Sequence, residues 1–366
     1  MEKALKLVNI LGLDPRKNDT FSKFRSIFCF TILISASFSS HLEFFLNFKG
    51  LETCERAAES IIPQYQTMCK MATFLLYKTE MLDLIKKSER FWKLDRFGDL
   101  QAKNLHSTYP IFQIFFYVYV VILFLTCAMF ALVNWIFDTG KPISLCYGES
   151  EGLETPWVEF YIVLQSVEVT IIFLGITGYD MVFLYYAGSV CIQFQMLKMA
   201  FAERKMNERQ FLKAVKHHEF LLQYVEQLGD IYSMWFLLQY FSSLFGICFG
   251  LFLISKEGLP TEPERLSKYF PYIFSFTMQS FTFCMTGTML SDWSSEISDE
   301  IFHSDWSDDQ VYKNKTARLI VMNRAQRPAK ISIGKFLDLN LRSFILLMRS
   351  VFSFLAFVNN ILNRIN

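Results

Sequence analysis

The sequence predicts an all-α membrane protein of seven transmembrane helices, with a cytoplasmic N-terminus, an extracellular C-terminus and a layer of helices beneath the membrane. Three observations carry this. The chain is 52% hydrophobic and 19% charged, with a mean hydropathy of +0.26, too apolar for a water-soluble domain. Seven apolar stretches can be marked, each near the roughly 20 residues that a helix needs to cross a bilayer. The basic residues then divide by side. Segment 1–25 and loops 78–106, 198–230 and 291–335 hold 26 Lys and Arg, against seven in the alternate loops and the tail. Basic loops stay in the cytoplasm, and an odd number of spans leaves the C-terminus outside. That orientation is opposite to a G-protein-coupled receptor, and no G protein is required.

Span 1 covers about Ser26–Leu46. The polar, basic residues before it and the lack of a small-residue cleavage site make it an anchor rather than a removed leader. Span 2, about Ala57–Tyr77, is the weakest because Glu59 and Lys70 interrupt it. Span 3 lies within Ser107–Phe137, which carries no charge. Span 4 starts at Trp157, and its apolar character continues past Asp180 to Phe201. A separate crossing there would need a hairpin at Gly178-Tyr179-Asp180 and would put the basic loop 198–230 outside, so one long helix is expected. Spans 5, 6 and 7 are Ile231–Ser255, Tyr269–Leu290 and Leu337–Leu362. The periodicity of Glu208–Gly229 predicts an amphipathic cytoplasmic extension of span 5, and Glu296–Trp306 extends span 6.

Other classes fit less well. A net charge of +1 argues against nucleic acid, which needs a concentrated basic face. No internal repeat points to a secondary transporter, and the spans lack the clustered His, Asp or Cys of an intramembrane enzyme. The eight cysteines show no C-x-x-C spacing, so neither metal nor cofactor is expected. Only Cys54 and Cys146 fall in outer loops, where one disulfide between them is open. His217-His218-Glu219 reads as solvated or as an interface, since adjacent helical histidines point about 100° apart. The sequons at Asn18 and Asn314 fall on the cytoplasmic side and are expected to stay unused.

Between spans 6 and 7 the chain reads Met322-Asn323-Arg324-Ala325-Gln326-Arg327-Pro328, then Gly334-Lys335-Phe336. An apolar turn, an Arg-rich stop, a proline and a glycine mark a helix, a short loop and a re-entry into the membrane. This run resembles the C-terminal signature of insect odorant receptors. The inverted layout, the long fourth helix and the stretch His218–Leu228 extend the resemblance along the chain. Ser353-Phe354 departs from the Ser/Thr-Tyr pair of many members. The second cytoplasmic loop lacks the large insertion of the universal co-receptor, so the chain resembles a ligand-specific tuning subunit.

The resemblance implies a heterotetrameric, odorant-gated, non-selective cation channel assembled with the co-receptor in the plasma membrane of a sensory-neuron dendrite. Its partners would be a small volatile odorant, the co-receptor and membrane lipid. The alternatives are a gustatory-receptor-like channel or a secondary transporter. The chain then divides into a cytoplasmic segment 1–25, helices 1–4 with an outer-leaflet pocket at 26–198, helices 5–6 with the anchor region at 199–336, and a pore-lining helix at 337–366. Pocket candidates are the aromatic or polar-tipped residues in the outer halves of the spans. They are Ile62, Tyr65 and Cys69 on helix 2, Phe130 and Asn134 on helix 3, Tyr161 and Gln165 on helix 4, and Tyr269, Tyr272, Ile273 and Phe276 on helix 6. A volatile has few hydrogen-bonding groups, so shape and dispersion carry recognition, with at most one polar contact. The deeper Glu168 is expected to pack or hydrogen-bond within the bundle. In the last helix, Phe357, Asn360 and Ile361 match the pore constriction of the family, where apolar residues gate by dewetting. Arg349, seven residues after Arg342 on the same face, either lines a water-filled path or snorkels to the interface.

Overall fold

The computed structural model describes residues 2–48, 51–97, 114, 117–132, 143–148, 156–202, 206–255, 263–303 and 315–365. A short helix α1 (Glu2–Ile10) precedes α2 (Thr20–Leu46), whose N-terminus is capped by Asp19 accepting from the Ser22 amide at 3.1 Å. Then follow α3 (Leu51–Leu76), α4 (Lys78–Ser88), a 3₁₀ turn (Leu94–Phe97) and α5 (Tyr117–Leu132). The long helices α6 (Trp157–Ala202), α7 (Glu208–Ser255) and α8 (Pro263–His303) form the centre. The chain ends with α9 (Lys315–Ala325), strands β1 (Ser332–Ile333) and β2 (Leu337–Asp338), and α10 (Leu341–Ile365).

Among the described helices, α2, α6 and α7 are long and apolar enough to cross a membrane, and α5 is a shorter apolar helix. α6 runs unbroken through Asp180, and α7 and α8 continue beyond their apolar parts as the sequence predicts. One boundary changes, and one open question is answered. The last span starts at Leu341, because Leu337 and Asp338 pair antiparallel with Ile333 and Ser332. Gly334 (φ 60°) and Lys335 (φ 64°) turn that hairpin, and the Gly334 amide donates to the Ser233 carbonyl at 2.9 Å. A Cβ at Gly334 would press into Leu237, so glycine is required by space as well as by φ. Cys54 and Cys146 are both thiols, without a bridge between them.

Inside a membrane, helices gain little from the hydrophobic effect, so packing and polar contacts must select their partners. At the centre, Phe183 packs edge-on against Phe236 and Phe283 with ring centroids 4.8 and 5.6 Å apart. Beside them lies an ion pair with neither side chain exposed to solvent, Lys70 Nζ to Asp180 Oδ1 at 2.5 Å. Asp180 Oδ2 also accepts from the Tyr119 hydroxyl at 2.8 Å and from Gln279 Nε2 at 2.7 Å. One carboxylate thus gathers donors from α3, α5 and α8 onto α6. The Lys70 ammonium also lies 5.0 Å from the centre of the Trp235 ring.

The cytoplasmic layer is held differently. Gln193 of α6 clasps Trp92, accepting from its amide at 2.8 Å and donating to its carbonyl at 3.0 Å. His217 stacks on the Trp92 ring at 4.0 Å and donates through Nε2 to Gln193 Oε1 at 3.0 Å. His217 and His218 are therefore buried, 7% and 3% exposed, where the sequence reading had them solvated or at an interface. The aromatic and apolar neighbours contributed by α6 and by the segment after α4 cover them.

Two outcomes are expected. Asp180→Asn leaves the Lys70 charge buried without its counter-charge and costs about 3–5 kcal/mol. The double variant Lys70→Met/Asp180→Leu removes both charges and recovers most of that loss. Thermal unfolding of the detergent-solubilised protein checks both, and equal destabilisation by the single and double variants would show that the loss does not come from an uncompensated charge. For the histidines, burial first and nearby positive charge second (Arg96 and His218 for His217, Arg324 for His218) lower each to about 4 from 6.5. The folded state holds them neutral while the unfolded chain protonates near 6.5, so their contribution is intact above pH 6.5 and is lost as pH falls toward 4. The midpoint of unfolding should drop across that window, with a shallower slope in His217→Phe/His218→Leu.

Candidate ligand cavity

Helices α3, α5, α6 and α8, with Ile143 and Ser144, line a cavity of ≈ 80 Å³. On α3 its wall is Glu59, Ser60, Pro63 and Gln66. Glu59, Pro63, Gln66 and Lys70 recur at helical spacing on one stripe, so the polar residues that weaken this span by hydropathy all face protein. α5 supplies Tyr119, Leu123, Cys127 and Phe130, again one face, and α6 supplies Glu168, Val169, Ile172 and Ile176. α8 closes the space with Tyr272, Ser275, Phe276 and Gln279.

The two ends of the cavity are polar and the middle is apolar. At the outer end Glu59 accepts from Lys268 Nζ at 2.5 Å and from the Tyr269 hydroxyl. The Lys268 ammonium also lies 5.0 Å from the centre of the Phe130 ring. This pair joins α3 to α8 next to two helix-interior prolines, Pro63 and Pro271, each of which removes one backbone donor. At the inner end Tyr119 and Gln279 reach Asp180. Gln279 Oε1 accepts in turn from Gln66 at 3.1 Å and Gln239 at 2.7 Å.

A second cavity of ≈ 190 Å³ lies between α2, α6 and the segment 143–148, and its wall shares Ser144 and Glu168 with the first. Both polar ends of the Gln165 amide hold Ser144, whose amide donates to Oε1 at 3.2 Å while Nε2 donates to the Ser144 carbonyl at 3.0 Å. Ser40 and Ser60 hold Leu145 from the other side, at 2.8 and 3.0 Å. The segment is thus tied to three helices.

Of the residues singled out from sequence, Phe130, Tyr272 and Phe276 line the first cavity, while Tyr161 and Gln165 line the second. Ile62 packs beside Phe130 and Tyr272. Tyr269 holds Glu59 at the rim, and Ile273 packs next to it. Tyr65 is exposed and meets His41 edge-on at 5.7 Å, and Cys69 belongs to the main core. Asn134 lies outside the described residues. The α3 candidates were one helical face out of phase with the cavity. The signal that finds the cavity-facing stripe of α3 is the Glu59/Lys70 spacing itself, since buried charge turns toward protein. Tyr119, Leu123 and Cys127 follow from Phe130 by helical spacing and were missed because only outer-half residues were considered.

α10 has two faces. Ser343, Leu347 and Val351 are buried toward α7 and α8, whereas Arg342, Arg349, Ser353, Phe357 and Asn360 are exposed on a stripe about 130° away around the helix. The Ile361 side chain lies outside the described residues.

The fold is shared with solved structures. The olfactory receptor OR5 of Machilis hrabei superposes with a TM-score of 0.85 at 13% identity, covering 98% of this chain and 97% of that one. Its complex with eugenol gives 0.83, covering 98% of both chains. By sequence, Odorant receptor 94a of Drosophila melanogaster is 21% identical over 88% of this chain and 84% of its own length. Odorant receptor 85c of the same organism is 27% identical over 41% of this chain, and Odorant receptor Or2 of Anopheles gambiae 27% over 41%. The matched stretches span 38% and 39% of those two relatives' own lengths. The family model described as 7tm Odorant receptor matches residues 56–352, which is most of the chain, and the chain belongs to that family.

Proposed function

We propose that the chain is the odorant-binding subunit of a heteromeric, odorant-gated, non-selective cation channel. In this reading it acts with a co-receptor subunit in the plasma membrane of sensory-neuron dendrites. The observation that carries the binding half is the cavity between the helices, walled by Phe130, Tyr272 and Phe276 and bounded at both ends by satisfied polar groups. Such a space suits a small, mostly apolar molecule held by shape. The Machilis hrabei receptor, of the same fold, was solved in complex with eugenol, which supports a volatile as the occupant.

For the channel half, the support is the exposed stripe of α10. Arg342, Arg349, Ser353 and Asn360 are costly against lipid and suited to a water-filled path or a partner subunit. α8 connects the two halves, since Tyr272, Phe276 and Gln279 face the cavity and Ser280 and Cys284 face a crevice against Ser343, Phe344 and Leu347 of α10. A ligand that moves α8 therefore acts on the helix that carries the stripe. Arg349, Phe357, Asn360 and Ile361 are assigned to the pore in this reading.

Whole-cell recording from cells expressing this chain, the co-receptor, or both tests the proposal. A volatile-evoked cation current only when both are present is expected. Silence of the pair toward a broad panel, with both chains at the surface, would overturn it. Ile172→Phe fills part of the cavity and should raise the half-maximal concentration of the bulkier active volatiles about tenfold, with unchanged surface expression. An unaltered dose–response curve would move the binding site elsewhere.

A further inference from the structure

The polar groups around the first cavity are nearly all spoken for by neighbouring protein groups. Glu59 holds Lys268 and Tyr269, Ser60 accepts from the Leu145 amide, and Tyr119 and Gln279 hold Asp180. Glu168 is the exception. Its Oε1 accepts from Gln64 Nε2 at 2.7 Å, while Oε2 is buried with no hydrogen-bond partner. Among the described residues of that wall, no other fully buried side-chain oxygen or nitrogen is left in this state. The residue is 2% exposed and stands on the partition between both cavities. A buried carboxyl oxygen without a partner is costly, and a ligand that supplies one is favoured by the penalty it removes.

We propose that Glu168 Oε2 is the polar anchor of the pocket and that it selects volatiles carrying a hydroxyl group, apolar alcohols or phenols, over esters, ethers and hydrocarbons of the same shape. A hydroxyl both donates and accepts. It therefore satisfies Oε2 whether the carboxyl is ionised, when the ligand O–H donates, or protonated, when the ligand oxygen accepts. An ether or ester oxygen serves only the protonated form, and a hydrocarbon serves neither. The apolar walls then hold the remainder of the molecule and set its size.

This inference rests on the reading of the cavity as an odorant site, and the experiment separates the two. Cells expressing the chain with its co-receptor are presented with matched sets of volatiles of graded size, each an alcohol, an ether and a hydrocarbon of equal length, such as 3-phenylpropan-1-ol, 2-phenylethyl methyl ether and butylbenzene. In the wild type the alcohols should act at concentrations about tenfold or more below their matched ethers and hydrocarbons. Glu168→Gln, whose carbonyl is held by the Gln64 amide and whose NH2 then stands in place of Oε2 as a donor only, should keep the preference over hydrocarbons and lose it over ethers. Glu168→Leu should abolish both preferences while leaving the weaker hydrocarbon responses in place, and those responses report that the variant is folded. Equal potency within each set, or an alcohol preference that survives Glu168→Leu, would overturn the anchor and leave the odorant site standing. Failure of every volatile in every set to evoke current would count against the odorant site itself, and the anchor would fall with it.

Discussion

The buried pair of Lys70 and Asp180 is the constraint on which the rest of the bundle depends. A charge without its partner at that depth is unfavourable by several kcal/mol, so α3 and α6 can associate only where the two side chains meet. The second oxygen of Asp180 extends the constraint by taking the Tyr119 hydroxyl and the Gln279 amide, which brings α5 and α8 to the same level. The relative heights of four helices are thereby set by one carboxylate. Because apolar surface alone does not distinguish one helix register from another in lipid, this directional contact does what a soluble core does with shape.

Directly outside that hub the cavity opens, and its position follows from the same geometry. Four helices pinned at one level and joined again at the rim by Glu59 with Lys268 and Tyr269 enclose whatever their side chains do not fill between the two ties. Gln66, Gln239 and Gln279 continue the inner tie sideways to α7, with Gln239 Nε2 donating to the Ser243 hydroxyl at 2.9 Å and the Ser280 hydroxyl donating to Ser243 at 2.9 Å. Amides and hydroxyls both donate and accept, so such a chain can be satisfied throughout without a further charge. Gln239 and Ser280 are also wall residues of the crevice against α10. Cavity floor and final helix thus share polar neighbours on two helices.

Much of the architecture was legible in the sequence because it is written in gross quantities. Hydropathy, the one-sided distribution of Lys and Arg, and the absence of any turn-forming segment around Asp180 were enough to outline the spans and to read α6 as one helix. The register of the last span was not legible to within four residues, because Leu337 is as apolar as the helix that follows and only the pairing with Ile333 reveals it as strand. The cavity was legible by helix but not by face. Ile62, Tyr65 and Cys69 were chosen for chemical type, yet the rotation of α3 is decided by where Glu59 and Lys70 find counter-charges, on α8 and α6. Those partners are separated from them in sequence by 209 and 110 residues, and no local pattern names them. The buried histidines of the cytoplasmic layer escaped for the same reason, since their cover is contributed by the distant Trp92 and Gln193.

The two faces of α10 show what the single chain leaves unsatisfied. Its buried face, Ser343, Leu347 and Val351, packs on α7 and α8 with an ordinary spacing of four. Its other face carries two arginines a heptad apart and polar residues continuing along the same line, a pattern that hydrocarbon would penalise at each turn. Elsewhere in the bundle Glu59, Lys70, Asp180 and Lys268 each meet an opposite charge from another helix of the same chain, and Glu168 takes the neutral Gln64 amide. Arg342 and Arg349 face outward instead, and in the proposed channel water or another subunit would accommodate them. In the channel proposed for this chain, that outward polar stripe on the final helix is the part that water and neighbouring subunits would complete.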